Sequence, residues 1–221
     1  MVRQQARLNW VDGQIPVSEQ FDDPYFSKQD GLAETRHVFL GGNDLPARFR
    51  PGFHVAELGF GTGLNMLTVW AAWEQNGQHT ALRFTSFEAF PMALSDMAKA
   101  LQAFPELANW RNRFLAVWDG ESCDLGTLQV KVIAGDARET LPVWNGQADA
   151  WFLDGFSPAK NPELWEPELM ADVARHTARG GTAATYTAAG FVRRGLETAG
   201  FNVTRAPGFG RKRHMTQAKL A

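Results

Sequence analysis

Residues 53–73 constrain this chain more than any other stretch. Phe53-His54-Val55-Ala56-Glu57-Leu58 is a short apolar run suited to a strand. Gly59-Phe60-Gly61-Thr62-Gly63 is a glycine-rich turn. From Leu64 to Trp73 the apolar residues recur at helical spacing, which places Trp70 and Trp73 in a core. A strand that turns sharply on glycines into a helix is the opening unit of a parallel α/β sheet. Its glycines let the backbone approach a ligand closely and adopt positive φ. The dinucleotide fingerprint requires G-x-G-x-x-G, but here the sixth position is Leu64 and the third glycine comes one residue early, which disfavours a hydride-transfer enzyme.

The rest of the chain repeats the alternation. Further strands are expected at 82–87, 130–133, 149–153, 182–186, 201–205 and 213–220, and helices at 92–101, 163–176 and 191–199. The expected fold is therefore α/β, a doubly wound and mostly parallel seven-stranded sheet. A tight Pro-Gly-Phe-Gly turn at 207–210 makes the last two strands an antiparallel pair at one edge. Residues 1–50 hold too few apolar residues for a core of their own and are expected to pack on a main domain of residues 51–221. Within them, Asp12-Gly13 signals a hairpin.

Composition excludes several classes. Hydrophobic residues make up 44% and charged residues 21% of the 221, as in a globular protein rather than a disordered one. The lone cysteine, Cys123, excludes a disulfide framework and suits a reducing compartment, so a cytoplasmic location is expected. No apolar stretch of about 18 residues is present to span a membrane, and 1–9 is too polar for a signal peptide. The five histidines show no ligand spacing, so no metal is expected.

In doubly wound sheets, ligands bind beyond the carboxyl ends of the strands. Four acids fall there: Glu57, Glu88, Asp136 and Asp154. Taken singly, each reads equally well as the N-cap of the next helix. Four together, one of them attached to a glycine-rich turn, favour a ligand site. An acid two residues before G-x-G-x-G resembles the first motif of class I S-adenosylmethionine methyltransferases, a Rossmann-like fold. On that resemblance Glu57, Gly59, Phe60, Gly61, Glu88, Asp136 and Ala137 are the expected cofactor residues. Glu88 would serve the ribose hydroxyls and Asp136 the adenine amino group, and an acidic site suits a sulfonium.

The stretch 151–162, Trp-Phe-Leu-Asp-Gly-Phe-Ser-Pro-Ala-Lys-Asn-Pro, is more specific. With 21–27, 31–36, 39–43, 59–65, 189–196 and 208–213, in order, it resembles the tRNA 5-methylaminomethyl-2-thiouridine methyltransferases, the MnmC/MnmD family, in the form without a fused oxidase. The resemblance runs from about residue 8 to residue 220 and is weakest between 111 and 130. It implies S-adenosylmethionine-dependent N-methylation of the aminomethyl group on the wobble uridine of tRNA, with the anticodon arm as partner and no flavin.

Asp154 is then the expected catalytic residue, holding or removing the proton of the amine. Phe156 would stack on the base or pack in the core. Lys160 would contact RNA or sit in solvent, and Tyr186 would line the pocket or serve structure alone. Residues 191–221 carry seven basic residues and one acid, a net +6 against −8 for the remaining 190. Of these, Arg193, Arg211, Lys212 and Arg213 are the expected RNA contacts. Two other readings stay open: a class I methyltransferase acting on a small-molecule amine, and a nucleotide-binding module without catalysis.

Overall fold

The computed structural model describes residues 5–221; residues 1–4, the start of the expected N-terminal extension, lie outside the described residues. The sheet strands are β4 (His54–Leu58), β5 (Leu82–Glu88), β6 (Ser122–Asp124), β7 (Leu128–Ala134), β8 (Ala148–Leu153), β9 (Thr177–Thr185), β10 (Phe201–Pro207) and β11 (His214–Leu220). Three short strands precede them: β1 (Leu8–Val11), β2 (Ile15–Ser18) and β3 (Asp23–Pro24). The helices are α1 (Gly31–Thr35), α2 (Leu64–Gln75), α3 (Leu94–Ala100), α4 (Ala108–Leu115), α5 (Ala137–Thr140), α6 (Pro167–Arg175) and α7 (Gly190–Thr198).

The main sheet runs β10-β11-β9-β8-β4-β5-β7-β6. Its central strands β9, β8, β4, β5 and β7 pair in parallel. The α/β class read from the alternation and the Rossmann-like fold implied by the resemblance are the ones observed. Two details differ. The antiparallel strand β11 is not the outermost: it lies between β9 and β10 and is antiparallel to both. An eighth strand, β6, pairs antiparallel to β7 at the other edge. It is only three residues long and comes from the 111–130 stretch, too short for alternation to announce it.

β4 is the central strand, and all five of its residues are buried. Side chains alternate across the sheet. Val55, Phe84 and Phe152 pack on one face with Trp70 and Trp73 of α2, Met97 of α3 and Phe114 of α4. Ala56, Phe87 and Trp151 pack on the other with Leu141, Leu169 and Val173 of the α5–α6 side and Leu196 of α7. Trp70 and Trp73 are fully buried, as their helical spacing predicts.

The N-terminal segment begins with the β1–β2 hairpin. Asp12 and Gly13 have φ of 51° and 69°, the left-handed pair that an Asp-Gly turn supplies. Leu32, Val38, Phe39, Leu40 and Leu45 enter the same core as α2. The Asp30 side chain caps α1 by accepting from the Ala33 amide at 2.8 Å.

Candidate active site

The strand order reverses around β4, and a cleft of about 740 Å³ opens at the carboxyl ends of β4, β5 and β8. Backbone bonds knit these ends together: the Gly59 amide donates to Phe87 O (2.9 Å), and the Asp154 amide donates to Leu58 O (3.1 Å). Gly59 has φ +90°, and a Cβ there would overlap the Asp154 carbonyl oxygen. Glycine is therefore required by contact as well as by dihedral. Gly61, at φ +52°, packs against the Tyr25 ring.

Gly59, Phe60, Gly61, Glu88, Asp136, Ala137, Asp154, Phe156, Tyr186 and Lys212 all line the cleft. The Glu88 carboxylate accepts from the Gly61 amide (2.9 Å) and the Phe90 amide (2.8 Å). Burial raises its pKa, opposed by those donors. Asp136 is an N-cap and also stands on the cleft wall. It caps α5 by accepting from the Arg138 amide (2.9 Å), and its carboxylate also faces the cleft, paired with the Arg138 guanidinium (2.6 Å). That guanidinium holds its pKa down.

Asp154 Oδ2 accepts from Asn65 Nδ2 at 2.6 Å. Burial pushes the Asp154 carboxyl up to about 7, with the Glu34 charge adding to the rise and the Asn65 donor and Lys212 charge opposing it. A carboxyl near neutrality in a cleft is suited to exchanging a proton at ordinary pH.

The cleft's features fit S-adenosylmethionine. The Gly59–Gly61 backbone lines the cleft directly, Glu88 and Asp136 offer acceptors on one wall, and no lysine follows the loop to demand a phosphate. The model of a family described as S-adenosyl-L-methionine-dependent methyltransferase matches residues 101–221, more than half of the chain. This chain belongs to that family, the MnmC-type methyltransferases. A solved structure, MNMC2 from Aquifex aeolicus, is similar over 99% of this chain and 72% of that one, with 27% identity and a TM-score of 0.77. DesVI from Streptomyces venezuelae (12% identity, covering 86% and 92%, TM-score 0.51) shares the fold. So does the precorrin-6y C5,15-methyltransferase from Geobacter metallireducens (14% identity, 96% and 98%, TM-score 0.53).

Other expected site residues of this methyltransferase lie outside the cleft. Glu57 sits beneath it. Strand alternation sends its side chain to the α2 face, where Asn65 donates to Oε1 (2.9 Å) and Ser86 to Oε2 (2.8 Å). Burial raises its pKa well above the usual range, and the Asp154 and Glu88 charges add to the rise. Lys160 is drawn away by the N-terminal segment: its ammonium bonds Asp22 O and pairs with Asp22 Oδ2 at 3.3 Å. Arg193 turns back on its own helix start, donating to Ala188 O at 3.4 Å. Arg211 and Arg213 are exposed on the β10–β11 turn and do not line the cleft; only Lys212 of that cluster does. Phe156 both lines the cleft and packs, stacked on Phe21 at 4.7 Å and edge-on to Tyr25 at 5.0 Å.

The residues missed by sequence reasoning come mostly from the N-terminal segment. Phe21, Asp23, Tyr25 and Glu34 line the cleft. Asp23 Oδ2 accepts from the Ser157 amide at 2.8 Å, which ties this segment to the Asp154 loop. The motifs containing these residues are visible in the sequence, but nothing local tells which side chains turn inward.

Asn65 was also missed as a site residue. Its Nδ2 serves both Glu57 and Asp154, and its Oδ1 accepts from Thr35 Oγ1 at 2.9 Å. Asn65→Ala strips one donor from two carboxylates at once. The expected cost is about 1–3 kcal/mol, read as a fall in Tm of roughly 2–4 °C for each kcal/mol. An unchanged Tm would mean that water replaces the amide without loss.

Proposed function

We propose that this methyltransferase converts 5-aminomethyl-2-thiouridine to 5-methylaminomethyl-2-thiouridine at the wobble position of tRNA, acting in the cytoplasm on the anticodon arm. The observation that carries the reading is the Asp154 carboxyl. It lies on the cleft beside the glycine turn, is held by Asn65, and has its pKa pushed up to about 7. The similarity to MNMC2 supports the same reading.

Glu88, Asp136 and the glycine turn would hold the cofactor. When bound, S-adenosylmethionine supplies a methyl group on a sulfonium, which a neutral amine nitrogen takes with its lone pair. The chain's task is to deliver that nitrogen deprotonated and aligned. Asp154 attracts the ammonium form, accepts one proton from it directly or through water, and then orients the neutral amine. Phe156, which lines the cleft, would offer an aromatic surface to a base. The exposed Arg194, Arg205, Arg211, Arg213 and Lys219 supply positive charge for phosphates, so KM for tRNA should rise steeply with salt.

The deciding experiment measures tritiated-methyl transfer from S-adenosylmethionine to two tRNA preparations. One carries the aminomethyl group at the wobble uridine and the other is unmodified. Incorporation is expected in the first alone. Equal labelling of the unmodified tRNA would remove the amine acceptor from the reading.

A further inference from the structure

The turn between β10 and β11 carries Lys212 to the mouth of the cleft. Its Nζ lies 2.8 Å from Glu34 Oε1 and 4.1 Å from the centroid of the Tyr186 ring. Glu34 comes from the first turn of α1, and Tyr186 directly follows β9. Three elements distant in sequence therefore meet around one ammonium.

The two sides of this contact differ in how firmly they are held. The Glu34 side chain is 14% exposed, against 46% for Lys212. The Tyr186 ring is fixed at both ends: its hydroxyl donates to Gly155 O at 2.8 Å, and its ring packs edge-on against Trp165 at 6.3 Å. A carboxylate beside an aromatic face is a general receptor for alkylammonium ions. The receptor is built into the fold, while its occupant hangs on a four-carbon stem from a surface turn. Asp154 is an electrostatic neighbour, since the charges of both Glu34 and Lys212 act on its carboxyl. All four side chains line one cleft.

We propose, resting on the amine acceptor argued above, that Glu34 and the Tyr186 ring form the subsite for the substrate's primary alkylammonium group, and that Lys212 occupies this subsite as an internal stand-in until the substrate displaces it. The subsite selects a charged amine over a neutral group of the same size. The bound ammonium then gives up one proton to Asp154 or to water before its nitrogen can accept a methyl group.

The test compares two tRNAs that differ only in the wobble substituent, aminomethyl or hydroxymethyl. Dissociation constants are measured in the presence of S-adenosylhomocysteine. The readout is the ratio of the two constants, in which phosphate contacts cancel. The wild-type protein should prefer the amine by about tenfold to a hundredfold, the range of a charge-assisted hydrogen bond. Glu34→Gln should bring the ratio close to one. Lys212→Met should raise it above the wild-type value, because the internal competitor is gone. Binding of S-adenosylhomocysteine by each variant checks that the cleft is intact. A ratio unmoved by Glu34→Gln, or lowered by Lys212→Met, overturns the subsite. If the wild-type protein does not methylate the aminomethyl tRNA at all, the failure belongs to the proposed reaction instead.

Discussion

Asp154→Ala should retain cofactor binding and lower kcat by about 10²–10⁴-fold, the usual contribution of a positioned general base. Its backbone amide stays bonded to Leu58 O, so the glycine turn keeps its shape when the side chain is lost. Isothermal titration with S-adenosylhomocysteine and single-turnover methyl transfer separate the two effects. The pH profile is the sharper signature. Burial holds the folded carboxyl up at about 7, so it is neutral and unable to accept a proton in acid. The kcat/KM of the wild-type protein should therefore rise with pH through about 7. Asp154→Asn should flatten that limb.

The same shift sets a stability trend. A carboxyl whose folded pKa exceeds its unfolded value favours the folded state when protonated. Ionising it costs stability as pH climbs from the ordinary carboxylate range through about 7. Full activity in Asp154→Ala, with an unchanged pH profile, would sink the mechanism.

Gly59→Ala is expected to be the most damaging single methyl addition in the site. Its φ of +90° is a backbone state that L side chains rarely adopt, and the new Cβ would overlap the Asp154 backbone oxygen. Neither partner has room to yield, because the Gly59 and Asp154 amides are both bonded to strand ends. A loss of about 2–4 kcal/mol is expected in urea unfolding. Affinity for S-adenosylhomocysteine should fall as well, because glycine turn and Asp154 loop are forced apart. Gly52→Ala is the control: it also has positive φ (+75°), but nothing lies within 4 Å of its Cβ. It should cost only the dihedral penalty, roughly 1–2 kcal/mol. Equal losses in the two variants would show that the close approach to Asp154 is not the constraint.

Much of this fold is local in origin, and local features are visible in a sequence. The α2 periodicity buries Trp70 and Trp73, the Asp-Gly pair makes its hairpin, and the acids Glu88, Asp136 and Asp154 stand at strand ends by chain order alone. β6 escaped because three residues carry no period. The order of the last strands escaped for a different reason. A tight turn requires β10 and β11 to pair antiparallel, but which of them meets β9 depends on packing across the sheet.

The site divides along the same line. The sequence by itself determined the α/β alternation, the glycine turn and the acids that follow the strands, because each depends on neighbours a few residues away. Only the tertiary structure decided which polar groups face the cleft. Glu57 turns under it to Asn65 and Ser86, and Lys160 is tied to Asp22. Glu34, whose motif suggested no role, reaches Lys212 from 178 positions away along the chain. These outcomes turn on strand register and on through-space pairing of charges. The energy of such pairs depends on distance in the folded molecule, and separation along the chain does not report it.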